Sequence, residues 1–587
     1  MAFFLQFPKE GFFFFFSSFK RSCNNNIHFL LYKKRNIACL CSKKYYYSNI
    51  DCVIDNPKKR PTLILHEKCV KSVINGFPWL YSKDIKNAEE LYIYSPCLVN
   101  IKDEYNENIG VGIYNRNSII SSRLLSRNIN EHINEEFFNI RIRKAYEKRL
   151  ELFHNENFFR VVNAESDFLP GIIIDKYNKL VCVQINASGM DILLPVIMKS
   201  IENVLNPNII IIKNDNKIRK LEKLPIKKEI YKGIYKSPIE VQENGITFFV
   251  DILKGQKTGW YYDQRYNRTM LISYCKDKNV LDLFSYVGSF GITLAYYGAK
   301  EVTCVDSSYS AIQNGLHAAQ YNNVLDKINF VHGCARNFLH VCLNVQILLH
   351  DNKGKNIKNV FDDTSPISKN TLDLKEQKHN VLLQNNKINL NNEEHLINSN
   401  VHIKLEQSNT HISFDDKIKK KTSNDNLLQV IKENNHNFES VINEKLLTDI
   451  KNLSIYEKKK TDVYIEDIEF LLSKSNNYKF FQKTYDVILI DPPPLARNNY
   501  CLPSALKIYE KLLYVSFRII QKPGYVFVSS CNRLIGYDKL LLCIKRALKW
   551  SKCEGTIIGE GRISSDHPIH ISLPETKYLT SILLMIT

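Results

Sequence analysis

From about residue 279 onward, strand-length apolar runs alternate with helix-length runs, and this alternation limits the fold more than any other feature of the chain. Residues 280–283, 301–305 and 328–331 read as strands, and 289–297 and 311–321 read as helices between them. The pattern breaks, then resumes with the wholly apolar run Val487-Ile488-Leu489-Ile490. A helix over 504–520, a strand over 525–529, a helix over 537–550 and two terminal strands complete it. Apolar strands joined by helices bury both faces only when helices cover the sheet on each side. The expected fold is therefore α/β, with a doubly wound, mostly parallel seven-stranded sheet.

The break itself has a distinct composition. Residues 351–460 hold 20 Asn among many Lys, Asp and Glu, with few aromatics. Such a stretch buries too little apolar surface to offset its ordering entropy, so it is expected to be a disordered insertion, about 345–480 in all. The sheet domain then spans 251–587 and tolerates the insertion where its ends meet at the surface.

Upstream, residues 60–130 read as a β-rich module, with apolar alternation at 62–65, 97–101 and 110–114. Residues 137–250 read as a small α/β domain. It opens with an amphipathic helix over 137–160, on the spacing of Phe138, Ile142, Ala145, Leu150 and Phe153. Strands at 172–174 and 181–185 and a helix at 191–204 follow. Residues 1–55 read as a leader: a short apolar run, Phe12 to Phe16, precedes a basic stretch in which Glu10 is the only acid before Asp51. The run is too short to span a bilayer, so no stable membrane insertion is expected. The two-part layout points to an organelle, either plastid-type, such as an apicoplast, or a mitochondrion. The alternatives are no address at all and a cytoplasmic protein.

A formal net charge of +19 suits a polyanionic partner, with RNA or DNA the usual one; a basic leader and a Lys-rich bias explain the excess equally well. The 15 cysteines form no paired CxxC units at zinc spacing, so neither a metal site nor a disulfide framework is expected.

Three short segments carry chemistry. In Asp282-Leu283-Phe284-Ser285-Tyr286-Val287-Gly288-Ser289-Phe290-Gly291 an acid ends an apolar strand and a glycine turn enters a helix. This is neither a Walker loop nor GxGxxG, so no phosphate cradle is indicated. It resembles motif I of class I methyltransferases, which implies a Rossmann-like domain and S-adenosyl-L-methionine as cofactor. Asp306-Ser307 ends the next strand, where an acid suits ribose hydroxyls. Asp491-Pro492-Pro493-Pro494 follows the fourth strand, and Ser529-Ser530-Cys531 follows the fifth, so Asp491 and Cys531 are expected to face one crevice. Carbon 5 of cytosine is a poor nucleophile. A thiolate adding at carbon 6 activates it, which calls for an exposed, low-pKa thiol beside an acid.

The chain resembles the bacterial large-subunit ribosomal RNA cytosine-5 methyltransferases that begin with a PUA domain. Gly255-Gln256-Lys257-Thr258-Gly259-Trp260-Tyr261-Tyr262-Asp263-Gln264-Arg265 matches that family's GxKTGxxxDQR, and Phe77-Pro78-Trp79, Arg160, Asp167, Asp175 and Asp566-His567-Pro568 match elsewhere. The resemblance implies a PUA-like RNA-binding start, Cys531 as nucleophile and Asp491 as the motif IV acid. It also implies a cofactor site drawn from Thr258, Asp263, Gln264, Arg265, Asp282, Phe284, Gly288, Asp306, Ser307 and Asp491. Large-subunit rRNA is the implied partner; the oligomeric state stays open, a homodimer included.

Three departures from the family stand out. Leu495 replaces an aromatic beside Asp-Pro-Pro, leaving base stacking to a residue such as Tyr500. Gly333-Cys334 replaces Gly-Asp at the adenine contact. Asn532-Arg533 follow Cys531, and Arg533 is a candidate for lowering the thiol pKa or binding phosphate. Two other readings remain: methylation of a purine nitrogen on the same fold, and a catalytically worn RNA-binding assembly factor.

Overall fold

The computed structural model describes residues 55–154, 156–351 and 483–587. The leader and the Asn/Lys-rich insertion, except their edges, lie outside the described residues.

The C-terminal sheet has seven strands: β1 (Asn279–Leu283), β2 (Glu301–Asp306), β3 (Ile328–His332), β4 (Tyr485–Ile490), β5 (Ile520–Ser530), β6 (Gly555–Gly561) and β7 (Thr580–Ile586). Their order is 3-2-1-4-5-7-6. β1 through β5 pair in parallel, and β7 runs antiparallel between β5 and β6. The order reverses between β1 and β4, the switch point at which a crevice opens at the strand ends. The helices are α1 (Arg265–Cys275), α2 (Ser289–Tyr296), α3 (Tyr309–Tyr321), α4 (Ala335–Asp351), α5 (Leu502–Ile519) and α6 (Tyr537–Ser551). Each strand carries side chains to two cores. Leu281 and Ile488 enter one with α4, α5 and α6, while Val280 and Val487 enter the other with α1, α2 and α3. Fully buried β-branched and leucine side chains at successive positions make β4 a central strand.

The β-rich domain is a five-stranded sheet that adds Trp79–Leu80 and Ser122–Ser126 to the three expected strands. The middle domain holds another five-stranded sheet with two longer helices, Glu135–Leu152 and Leu194–Leu205, and two short ones, and a hairpin, Ile239–Glu243 and Ile246–Val250, turning at Asn244-Gly245. One expectation fails here. The helix expected over 137–160 spans Glu135–Leu152, capped by the Asn134 side chain on the Phe137 N–H, and Phe158–Asn163 is instead a strand. The helix ends at Leu152 with Phe153 as its C-cap, and all six positions of the following strand are buried, so tertiary burial overrides the helical spacing.

Buried ion pairs brace the middle domain. Arg149 clamps Asp167 at 2.7 and 2.6 Å, and Arg160 clamps Asp175 at 2.7 and 2.9 Å. The loop from β6 to β7 reaches both other domains. Asp566 accepts the Arg160 N–H at 2.9 Å, its carbonyl accepts from Arg149 at 3.0 Å, and Ser572 donates to the Asn75 carbonyl at 3.1 Å.

Candidate active site at the strand switch point

A cavity of about 270 Å³ opens at the ends of β1, β2, β4 and β5. Six of the residues singled out in the sequence line it: Gln264, Phe284, Asp306, Ser307, Asp491 and Cys531. The β1–α2 loop forms one wall under backbone constraint. Phe284 and Tyr286 sit at φ 62° and 53°, a region that aromatic residues seldom occupy, and Gly288 at φ 71°. A Cβ on Gly288 would stand 2.9 Å from the Phe330 ring, and one on Gly291 would stand 2.3 Å from the Cys304 sulfur, so both positions need glycine. Asp282 fixes the loop from beneath by accepting the Gly291 N–H at 3.0 Å. It is wholly buried, and burial first, with Asp491 and Asp306 adding to it, pushes its carboxyl up to about 8. Asp306 accepts the backbone N–H groups of Tyr286 at 2.9 Å and Ser308 at 2.8 Å, tying the first loop to the second.

The cavity fits a cofactor with a ribose and an apolar body. The Ser285 hydroxyl lines it, buried and without a hydrogen-bond partner in the protein, and is free to meet a ligand. Phe284, Phe290 and the three prolines after Asp491 supply apolar wall. Among the described residues no cluster of His, Cys, Asp or Glu is arranged to hold a metal ion.

At the β4–β5 end, Asp491 accepts from Gln264 Nε2 at 2.9 Å, and the same amide donates to Ser529 at 3.0 Å. Burial first, then Asp263, push Asp491 up to about 6, against Lys257, Ser529 and Gln264, which lower it. The Cys531 thiol lies 3.8 Å from the Pro492 carbonyl. Burial first, then the Asp491 charge, raise it to about 12, with Lys257 the main opposing charge. The thiol is thus raised where a lowered one was expected, and the cation acting on it is Lys257 rather than Arg533, which is exposed. Lys257 pairs with Asp263 at 2.5 Å and its ammonium sits 4.2 Å from the Tyr261 ring centroid. It lies inside the GxKTG match, so an eye for a cation near the thiol would have found it.

The other site candidates stand behind the cavity wall. Thr258 is wholly buried and donates to Asp175. Asp263 takes Lys257 and, at 2.8 Å, the Tyr578 hydroxyl, and these positive and hydrogen-bonding partners outweigh its burial and hold its carboxyl well below the usual range. Arg265 binds Glu243 at 3.3 Å and Glu156 at 2.7 Å. Asp282 and Gly288 shape the loop from below. Cys334 and Leu495 do not line the cavity, and Tyr500 is 91% exposed in a short 3-10 helix, Asn499–Cys501, outside it.

Residues 63–127 match the family model of a PUA-like domain. The ribosomal RNA large subunit methyltransferase I of Pseudoalteromonas translucida is 35% identical over 268 residues, which are 44% of this chain and 67% of that protein. The protein of the same name from Tolumonas auensis is 34% identical over 275 residues, 46% of this chain and 69% of its own length. Among solved structures, a candidate SAM-dependent methyltransferase from Streptococcus mutans superposes with a TM-score of 0.55 at 16% identity, covering 89% of this chain and all of the other. That last likeness is one of fold.

Proposed function

Because the chain belongs to the ribosomal RNA large subunit methyltransferase I family, we propose that it methylates carbon 5 of a cytosine in large-subunit rRNA through Cys531. It is a methyltransferase that uses S-adenosylmethionine, which when bound supplies an electrophilic methyl group. The observation that carries the cytosine reading is the meeting of Cys531 and Asp491 in one cavity with the β1–α2 loop.

The protein's own groups set the following course. Cys531 rests as a thiol, so its proton leaves as sulfur bonds to carbon 6 of the base. Asp491, ionised above about pH 6, is the nearby acceptor. Adduct formation raises electron density at carbon 5, which gains the methyl carbon. Asp491 passes the thiol's proton to N3 of the adduct and is again a carboxylate, able to take the carbon 5 proton as the double bond re-forms and the thiolate leaves; the N3 proton then returns to the thiolate or to water. Gln264 holds Asp491 in place for these transfers. The leader, by its composition, supports action on an organelle ribosome; fusing residues 1–55 to a fluorescent protein checks the destination.

Digesting rRNA treated with the protein and S-adenosylmethionine, then identifying the methylated nucleoside, tests the proposal. 5-Methylcytidine is expected. A methylated purine would retire the thiol course and favour purine-nitrogen transfer.

A further inference from the structure

A second cleft, of about 730 Å³, opens where the three domains meet. The β-rich domain supplies Ile74 and Arg127, the middle domain Arg141 and Phe168, and the β6–β7 loop Ile571. We propose that this cleft holds the single-stranded RNA flanking the target nucleotide, with Arg127 and Arg141 on phosphates and the Phe168 ring against a base. The inference rests on RNA being the substrate.

Charge selects the occupant. Among the described residues neither Arg127 nor Arg141 pairs with a carboxylate. Each donates to a backbone carbonyl instead, Arg127 to Val73 at 2.8 Å and Arg141 to Phe168, which leaves further N–H groups of each guanidinium for a ligand. Burial lowers Arg141 to about 10, only partly offset by Glu131, so it stays charged near neutrality. The carboxylate in the lining, Glu165, is engaged by Trp79 Nε1 at 2.9 Å and lies 3.9 Å from Arg123. The cleft is therefore cationic and suits a polyanion.

Exposed apolar groups border these arginines. Phe168 is 60% exposed, Ile74 58% and Ile571 97%. Phe168 sits at φ 58°, a backbone state unusual for an aromatic residue. Its N–H reaches the Glu165 carbonyl at 3.1 Å, its own carbonyl takes Arg141, and its ring meets His570 edge-on at 5.9 Å. A strained backbone that presents an aromatic ring to solvent beside two guanidiniums that, among the described residues, have no carboxylate partner matches how single strands are held, by stacking and phosphate contact together.

A row of aromatic rings borders the cleft. Pro78 lines it, and Phe77, Trp79 and Tyr81 form a row of rings with Phe77 6.3 Å from each of the other two.

The test uses the full chain and a fluorescein-labelled single-stranded RNA about 12 nucleotides long, read by anisotropy over a salt series. Phe168→Asn suits the left-handed backbone better than phenylalanine, so it keeps the fold while removing the ring. It is expected to weaken RNA binding roughly tenfold, since stacking on an aromatic carries about that much. Arg127→Ala is expected to lower the slope of log affinity against log salt by about 0.7–1. The S-adenosylmethionine dissociation constant should not move in either variant. RNA affinity within twofold of the parent in both variants, or no RNA binding by the parent, would overturn the cleft. Because binding is read without methyl transfer, a parent that binds through this cleft yet methylates no rRNA would fail the functional reading alone.

Discussion

Gln264 and Asp491 are joined by a 2.9 Å hydrogen bond that links the segment entering α1 to the turn after β4, across 227 positions of sequence. Gln264 is almost wholly buried and also accepts from Asn267 at 2.6 Å, so its amide orientation is fixed. Its N–H favours the ionised form of Asp491 and lowers that carboxyl against the raising effect of burial. Gln264→Leu removes this support, so the Asp491 pKa rises. The acid limb of kcat/KM, expected near pH 6 in the parent, should move to higher pH, and the plateau should fall by about 10- to 100-fold if Asp491 accepts protons in the reaction. A plateau loss with an unmoved limb would assign Gln264 a purely structural part.

The Arg160–Asp175 pair tests what holds the middle domain together. Asp175 is wholly buried and accepts two N–H groups from Arg160 and the Thr258 hydroxyl. Arg160→Met strands that carboxylate and should cost about 3–5 kcal/mol in urea unfolding. Adding Asp175→Asn should recover much of the loss, because the uncompensated charge, rather than the missing attraction, dominates. Equal instability of the single and double variants would contradict this.

Asp282 predicts a pH dependence of stability. Its folded carboxyl titrates near 8, well above an unfolded aspartate near 4. The folded chain therefore keeps a proton that the unfolded chain releases, and stability falls as pH rises from about 4 to about 8. Asp282→Asn still accepts the Gly291 N–H but does not titrate. Relative to the parent, the variant should gain stability steadily between pH 5 and 8, by up to a few kcal/mol. A constant difference across that range would show that the Asp282 carboxyl does not titrate there.

Much of the sheet was legible because its strands are short apolar runs bounded by turns, and β4 is readable from four consecutive residues, Val487 to Ile490. Asp491 and Cys531 were legible for the same reason, since strand ends converge at a switch point. What escaped depends on distant partners. Phe158–Asn163 follows a helix within a few residues, and only burial between two layers makes it a strand. Thr258, Asp263 and Arg265 lie beside cavity-lining residues in sequence, yet their side chains turn to Asp175, Tyr578 and Glu243. Tyr578 is 315 positions from Asp263, beyond the reach of any local pattern. The thiol's state was also hidden, because burial and the Asp491 charge outweigh Lys257.

The most direct measurement of the central claim compares the parent with Cys531→Ala, counting methyl groups transferred from labelled S-adenosylmethionine to rRNA and identifying the product nucleoside. The account predicts 5-methylcytidine from the parent and, from a folded variant that still binds S-adenosylmethionine, no product above background. Methylation at the parent's rate in Cys531→Ala would contradict it.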